Sequence, residues 1–417
     1  MRIALLTYST KPRGGVVHTL ALAEAMARAG HDVTVWSLGR GGDAAFFRPV
    51  DAAVTLRLVP FPDEPGEDVG ARILRSIQVL GTAFRDESYN VVHAQDCISA
   101  NAVPGCVRTV HHLDTFTTPA LAACHERAIV QPRALVCVSA AVAAEVATGW
   151  GRVPTVIANG VEAARFSAAA GPAGDAGRRR WREQLGRYVL AVGGIEPRKG
   201  TLDLVEAFAQ VAVRRPGLSL VIAGGETLFD YRDYRSRVEA RAAELGVEPV
   251  VLGPVDHDEL PTLVAAADVF AFPSAKEGFG LAAMEALAAG VPVVARDLPV
   301  LREVFGGTVR YATEPAGFAA ALLEPGTPAF PSAAELASMS LGGTCGAITL
   351  RRFAERYESA AGFLRSLRAI GAHTPRPGHR PLVPGAFRAV TRRFEAGGAI
   401  AGYEVALCSF IKPEGGP

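Results

Sequence analysis

Short apolar stretches alternate with segments of helical periodicity along most of the chain, and this alternation constrains the fold more than any other feature. "RIALLTYS" predicts a strand, "GGVVHTLALAEAMARAGH" a helix that ends at Gly30, and "DVTVWSL" a second strand. This order is a βαβ unit, and a run of such units implies a parallel sheet with helices on both faces. Further strands are expected at "VTLRLVP", "NVVHAQD", "VRTVHH" and "ALVCVS".

The alternation starts again in the second half of the chain, with strands expected at "YVLAVGG", "LSLVIAGG", "VVLGP", "VFAFPS" and "VPVVAR". A chain of 417 residues is too long for one ordinary domain. We therefore predict two doubly wound α/β domains in series, at residues 1–166 and 183–348. The small-residue, Gly-rich segment 167–182 between them reads as a linker or surface insertion.

Composition excludes several classes of protein. A hydrophobic content of 49% with 20% charged residues is typical of a soluble globular protein with a large core. The net charge of +1 gives no global field that would favour nucleic acid. The six cysteines show no C-x-x-C spacing, which argues against a zinc site or a disulfide framework and fits a reducing cytosol.

Membrane attachment is expected to be peripheral at most. The first apolar run is too short for a signal peptide, and no window approaches the ~18 apolar residues of a membrane-spanning helix. "ARILRSIQVLGTAF" is amphipathic but lacks the dense basic face of a strong membrane binder. We favour an ordinary core-facing helix there, and a cytoplasmic protein with possible contact at the inner membrane face.

Ligands of doubly wound sheets bind beyond the carboxyl ends of the strands, and three loops at such positions carry candidate residues. In "STKPRGGVVH", Gly14 and Gly15 open a helix whose first N–H groups favour an anion. In "IEPRKG", Arg198 and Lys199 offer two cations to a diphosphate. The alternative for Gly14 and Gly15 is a helix start that needs glycine for its backbone alone. The alternative for Arg198 and Lys199 is a solvated pair of charges in a turn.

The positions of the lysines support a ligand-binding role for these three loops. The chain has four lysines among its 43 Lys and Arg residues, and Lys11, Lys199 and Lys276 all lie in these loops. A lysine retained where arginine is the default indicates that a compact point charge is needed.

The third loop, "PSAKEGFGLAAMEALAAGVPVVA", carries two acids in otherwise apolar chain. A helix is expected to begin near residues 279–281, so that Glu277 precedes it and Glu285 lies in its second turn. Carboxylates beside a diphosphate are tolerable if they accept hydrogen bonds from the diols of a ribose or a hexose. The alternatives are a favourable charge at the helix start for Glu277 and an exposed helix face for Glu285.

These motifs together resemble those of the retaining glycosyltransferases of group 1, or family 4, which have the GT-B fold. "AADVFAFPSAKEGFGLAAMEALAAGVPVVARDLP", "VIANGVEAARF" and "RGGVVHTLALAEAMARAGHDVTVWS" are similar to the family's paired-acid signature, hinge segment and first βαβ unit. The resemblance covers roughly residues 1 to 310. It implies two Rossmann-like domains that face each other across a cleft, the second binding the nucleotide sugar.

The resemblance also implies roles for individual residues. Glu277 would hold hydroxyls of the transferred sugar, and His111 would lie near that sugar across the cleft. Glu285 would bind the ribose of the nucleotide. The full set of donor-binding residues that the resemblance implies is Gly15, Arg198, Lys199, Phe279, Gly280, Leu281 and Glu285.

No metal or cofactor is implied, because protein cations and amides stabilise the leaving diphosphate. Retention by front-face attack needs no dedicated nucleophile. The partners implied are a nucleoside-diphosphate sugar and an unknown small-molecule, glycan or lipid acceptor.

Two positions depart from the family pattern. Gly194 stands where an arginine is usual, and we expect Arg198 to replace it. "TVHHLDTF" offers His112 as well as His111, and Asp114 is either an acceptor-site residue or a turn residue. Residues 349–370 are expected to form a helix that crosses back to the first domain, and 371–417 match nothing familiar.

Other functions remain open at this stage. A GT-B epimerase or phosphorylase would share the cleft, and the substitution at Gly194 allows a protein that binds nucleotide sugars without transferring them. An NAD-dependent oxidoreductase fits less well, because no complete G-x-G-x-x-G opens the first βαβ unit.

Overall fold

The structure, a computed structural model, describes residues 1–85, 89–114, 116, 118–225, 231–326, 348–356 and 400–408, the last two ranges by their backbone alone. Two parallel sheets form its centre. Both are doubly wound, as the alternation of strands and helices predicts.

The first sheet has seven strands in the order β3-β2-β1-β4-β5-β6-β7, all paired in parallel. The strands are β1 (Arg2–Leu6), β2 (Asp32–Arg40), β3 (Val54–Phe61), β4 (Val91–Ala94), β5 (Val107–Val110), β6 (Ala134–Cys137) and β7 (Thr155–Val156). The helices that follow them are α1 (Gly14–Arg28), α2 (Val69–Ala83), α3 (Cys97–Ala102), α4 (Pro119–Val130) and α5 (Ala140–Trp150). The inner strands β1 and β2 are apolar and almost wholly buried, as expected for strands covered on both faces.

The second sheet has six strands in the order β10-β9-β8-β11-β12-β13, again paired in parallel. The strands are β8 (Arg187–Val192), β9 (Leu218–Ala223), β10 (Val250–Gly253), β11 (Val269–Phe272), β12 (Val293–Arg296) and β13 (Arg310–Ala312). The helices around it are α6 (Ala163–Ala170), α7 (Asp175–Leu185), α8 (Thr201–Arg214), α9 (Arg232–Glu244), α10 (Leu260–Ala266), α11 (Leu281–Ala288), α12 (Pro299–Phe305) and α13 (Pro315–Leu323).

The strand orders define where ligands should bind. In the first sheet the order reverses between β1 and β4, and in the second between β8 and β11. At such a switch point neighbouring loops leave the sheet in opposite directions and open a crevice. The loops after β8 and β11 contain residues 193–200 and 273–280, so two of the three candidate loops flank one switch point.

The segment 167–182, read from the sequence as a linker or surface insertion, is largely helical in the structure. It continues α6, passes through a 3₁₀ turn at Pro172–Gly174 and enters α7. Trp181 and Leu185 are buried in the core of the second domain. Four residues apart, they form the apolar stripe of a surface helix, which the basic run around them obscures. The domain boundaries themselves stay a prediction.

The helix expected at 349–370 is also corrected where the structure describes it. Residues Ile348–Arg356 form strand β14, which pairs antiparallel with β15, Ile400–Cys408. Helical periodicity within one segment carries no information about a pairing partner much later in the chain. The remaining residues of that predicted helix, and most of the tail, lie outside the described ranges.

The amphipathic segment near residue 71 forms α2, which buries Ile73, Ser76 and Leu80 and leaves Leu74 exposed. This is the core-facing arrangement favoured from the sequence. Among the residues described, no helix is long and apolar enough to cross a membrane.

Candidate active site

The three candidate loops meet across the cleft between the two sheets. A methyl group added at Gly15 would lie 3.6 Å from the Cδ2 atom of His111, and one at Gly14 would lie 3.9 Å from Leu281. At Gly278 it would lie 1.5 Å from the carbonyl oxygen of His111. The loop after β11 therefore lies directly against the loop after β5, with room only for glycine at the contact.

Helix α11 presents its N-terminus at this junction. It begins at Leu281 as the sequence predicts, and its N-cap is Gly280, whose φ of +100° is accessible mainly to glycine. No side chain caps the helix and no acid lies in its first turn, so its first N–H groups remain available for an anion. Phe279 is buried in the core and so anchors the loop to the second domain.

Glu277 is held by the two cations of the neighbouring loop. Lys199 Nζ donates a hydrogen bond to its Oε1 atom, and Arg198 Nη1 lies 3.9 Å from the same oxygen. Burial alone would raise the pKa of Glu277, but Lys199, Arg198 and a hydrogen bond from Ser274 bring it below its ordinary value. Glu277 is therefore ionised at neutral pH.

Glu285 has the opposite environment. Within the described chain no hydrogen bond or ion pair involves its carboxylate. Burial raises its pKa to about 8; the charge of Arg165 offsets this only in part, and Glu162 adds to the rise. At neutral pH the group therefore mostly carries its proton, so it can donate one hydrogen bond to a neutral ligand and accept others from it.

Arg198 and Lys199 lie in the loop after β8. Arg198 Nη2 forms a 2.7 Å ion pair with Glu196, which is 6% exposed. The Lys199 stem passes over Gly193, and a cavity of about 20 Å³ lies beside it, lined by residues including Gly193, Gly194 and Ser274. That is room for about one water molecule.

His111 lies at the end of β5, facing α1. Its ring makes an edge contact with His18, with centroids 5.0 Å apart, and its buried Nε2 atom has no hydrogen-bond partner among the described residues. Burial lowers its pKa well below the ordinary value, and the charges of His18 and His112 add to that. His111 is thus a neutral imidazole.

His112 and Asp114 form a pair, with 3.3 Å between Nε2 and Oδ2. Burial alone would raise the pKa of Asp114, but the hydrogen bond from His112 and the charges of His112 and Arg198 lower it overall. Asp114 does not cap the next helix, whose N-cap is Thr118.

Of the nine predicted site residues, the structure brings Arg198 and Lys199 to Glu277 and Gly15 to His111, and it places Leu281 against Gly14. Gly280 caps α11, Phe279 is buried in the core, and Glu285 has Arg165 and Glu162 as its charged neighbours.

The structure also adds residues that the sequence reading missed. Glu196 pairs with Arg198, and His18 supports His111. Glu196 lies within the quoted "IEPRKG" loop, so the sequence could have identified it as a candidate. His18 contacts His111 only through packing, which no local sequence pattern indicates. Lys11 pairs instead with Asp43 at 2.9 Å and is largely exposed.

Two parallel Rossmann-like sheets that face a shared cleft define the GT-B fold. Solved structures of that fold agree: HepE of Anabaena in complex with UDP and glucose matches with a TM-score of 0.58 and 22% identity over 78% of this chain and 89% of that one. Sucrose-phosphate synthase of Thermosynechococcus elongatus matches with a TM-score of 0.62 and 20% identity over 78% and 90%.

Sequence comparisons give the family. Residues 12–165 match Glycosyltransferase Family 4 and residues 178–323 match Glycosyl transferases group 1. Glycogen synthase of Mycobacterium tuberculosis is 31% identical over 77% of this chain and 85% of its own length. D-inositol 3-phosphate glycosyltransferase of Acidothermus cellulolyticus is 30% identical over 78% and 83%. The chain belongs to the group 1 glycosyltransferases of family 4.

Proposed function

We propose that this glycosyltransferase moves a hexose-type sugar from a nucleoside-diphosphate sugar to an acceptor hydroxyl, with retention of anomeric configuration and without a metal. The observation that carries the proposal is the convergence of Arg198 and Lys199 on Glu277, beside the uncapped start of α11. Cations, amides and an ionised acid side by side are groups that could bind a diphosphate and a sugar together.

The diphosphate would lie between the first turn of α11 and the loop after β8. The N–H groups from Phe279 to Leu281 and the charges of Arg198 and Lys199 would stabilise the negative charge that develops on it as the leaving group. Arg198 would supply the charge that the family's usual arginine supplies at position 194. Gly15 would allow the backbone of the first domain to approach the same group.

Glu277 would orient the transferred sugar by accepting hydrogen bonds from its hydroxyls, and neutral His111 would lie on the other side of it. The acceptor oxygen then bonds to the anomeric carbon on the face from which the diphosphate departs. The acceptor proton passes to a diphosphate oxygen, so no enzyme nucleophile is required. Glu285 would bind the ribose.

The first test is the thermal stability of the protein with UDP-, GDP-, ADP- and dTDP-sugars, for wild type, Glu285→Ala and the exposed control Glu183→Ala. Ligand at about 100 times its Kd adds roughly 2.7 kcal/mol to stability. We expect one nucleotide family to stabilise wild type and the control but not Glu285→Ala. No stabilisation across the panel would contradict donor binding.

Transfer is tested separately from binding. Release of nucleoside diphosphate should depend on an acceptor, persist in EDTA, and give a product whose anomeric configuration by NMR equals that of the donor. Binding without release would favour a nucleotide-sugar-binding protein, which the glycine at position 194 makes the second candidate. Conversion of the donor to its epimer would indicate an epimerase.

A further inference from the structure

Two arginines of the first domain lie together at the carboxyl ends of β1 and β2. Arg40 is the last residue of β2, and Arg13 is the N-cap of α1. Their guanidinium carbons lie 5.1 Å and 5.8 Å from the centroid of the Tyr8 ring. Two positive charges thus flank one ring near the switch point of the first sheet.

Among the residues that the structure describes, neither arginine forms an ion pair with an acid. Arg40 donates to the Tyr8 carbonyl at 3.2 Å and to the Ser76 hydroxyl at 2.8 Å, both neutral oxygens. Within the described part of the chain, no hydrogen bond or ion pair involves the Arg13 side chain, and its Nε atom is buried.

Two other arginines of the same domain are paired with acids. Arg48 forms a 2.6 Å ion pair with Glu24, and Arg75 forms one of 2.7 Å with Glu67. Partly buried charges in proteins are usually paired in this way.

Arg108 and Arg152 also have no ion pair within the described residues, but Arg108 is buried in β5 and Arg152 donates to three backbone carbonyls. Arg13 and Arg40 differ from these in lying together at the carboxyl ends of β1 and β2, where a ligand can reach them.

Asp96, a carboxylate whose charge acts on Arg40, already accepts other hydrogen bonds. Asp96, which follows β4, accepts hydrogen bonds from the backbone N–H groups of Tyr8 at 2.9 Å and Ser99 at 2.8 Å. Burial lowers the pKa of Arg40 below its ordinary value, and the charges of Arg72 and Arg13 lower it further, against the opposing effects of Tyr8 and, to a smaller extent, Asp96. A bound anion would relieve this repulsion.

We propose that the acceptor substrate carries a phosphate or carboxylate group, which Arg13 and Arg40 bind while the acceptor hydroxyl faces the transferred sugar. This inference rests on the proposed function, because it assigns the first-domain wall to the acceptor of that same transfer. The planar fork of arginine matches both anions. The donor diphosphate has its own cations, Arg198 and Lys199, across the cleft.

The test compares acceptors that differ only in charge. Release of nucleoside diphosphate from the identified donor is measured with glucose, glucose 6-phosphate and glucuronate, with glycerol, glycerol 3-phosphate and glycerate, and with myo-inositol and its monophosphate. Phosphatidylinositol in phosphatidylcholine vesicles, against phosphatidylcholine alone, distinguishes a lipid-borne phosphate from a soluble one. We expect anionic members to be used with a KM at least tenfold below that of their neutral partners.

Variants locate the effect. In Arg40→Gln and Arg13→Gln the advantage of the anionic acceptor should fall by roughly tenfold to a hundredfold, the usual cost of a charged hydrogen bond, with the donor KM unchanged. Arg40→Lys keeps the charge without the fork and should retain part of the preference. Arg28→Gln, an exposed arginine at the end of α1, should behave as wild type.

Equal use of neutral and anionic acceptors would overturn the proposal, as would a preference that survives in both Gln variants. Failure of every anionic compound, soluble or in vesicles, to raise release above the rate without acceptor would do the same. In each case stabilisation by the donor, lost in Glu285→Ala, would leave the proposed function standing.

Discussion

The two walls of the cleft handle positive charge in different ways. On the second-domain side, Lys199 and Arg198 are paired with Glu277 and Glu196. On the first-domain side, Arg40 donates only to neutral oxygens and Arg13 forms no hydrogen bond or ion pair, within the ranges that the structure describes. Paired cations are already oriented before a ligand arrives, which suits the stabilisation of a leaving group; unpaired ones gain most when an anion binds. The difference indicates that the walls serve different ligands.

Of the substitutions in the second-domain wall, Lys199→Ala should have the largest effect on activity. We expect kcat to fall by roughly 10²- to 10³-fold, because one preorganised charge on the leaving group is removed and Glu277 loses its closest cation. Steady-state release of nucleoside diphosphate measures this.

Lys11→Ala is the matched control for Lys199→Ala. Lys11 is 54% exposed and pairs with Asp43, and such surface pairs contribute at most about 1 kcal/mol. If both lysine variants lost activity equally, a specific role of Lys199 in stabilising the leaving group would be refuted.

The contact between the walls is tested by Gly278→Ala. Its methyl group would lie 1.5 Å from the carbonyl oxygen of His111, so the loop that carries Glu277 must move away. A displacement near 1 Å at a reacting centre can reduce the rate by about 10²-fold, and we expect a loss of that order in kcat/KM. Gly307→Ala, where no atom lies within 4 Å, should retain full activity; a normal rate in Gly278→Ala would show that the walls need not touch.

How far the sequence predicts this arrangement depends on the range of the interaction. The alternation of strands and helices and the start of α11 are local signals, and both are confirmed. The pairing of β14 with β15 and the stripe of Trp181 and Leu185 depend on partners elsewhere in the chain, and the local reading missed them. The contrast between the two walls also depends on long-range contacts, because no local motif shows that Arg40 has no acid as a partner.

Glu285 is the exception on the second-domain wall, because it is an acid without a cation within ion-pair distance in the described chain. Its pKa in the folded protein is raised to about 8 from 4.5. Its contribution to stability is therefore fully present below about pH 4.5 and is lost as the pH rises through 8. The full shift corresponds to roughly 4 kcal/mol between pH 5 and 9. Because the Glu285 side chain is only half-buried, we expect the ligand-free wild type to lose on the order of 2 kcal/mol more than Glu285→Gln.

Urea unfolding at each pH measures that difference, and Glu183→Gln, which changes an exposed acid of α7, controls for the substitution itself. Other titrating groups are common to all three proteins and cancel. Parallel stability curves for wild type and Glu285→Gln would show that Glu285 is not held in a desolvated state.

The smallest expected effect comes from a contact that joins the two domains away from the charged walls. Glu303 of α12 accepts hydrogen bonds from the N–H groups of Ala140 at 2.6 Å and Ala141 at 2.9 Å, at the start of α5. Such a cap contributes about 1 kcal/mol, so Glu303→Ala should raise the donor KM by roughly fivefold while kcat is retained. Glu145→Ala, an exposed acid on α5 itself, should change neither constant. A fall in kcat instead of a rise in KM would mean that this contact positions the reacting groups, and the two walls could then not be treated as independent of the way the domains are joined.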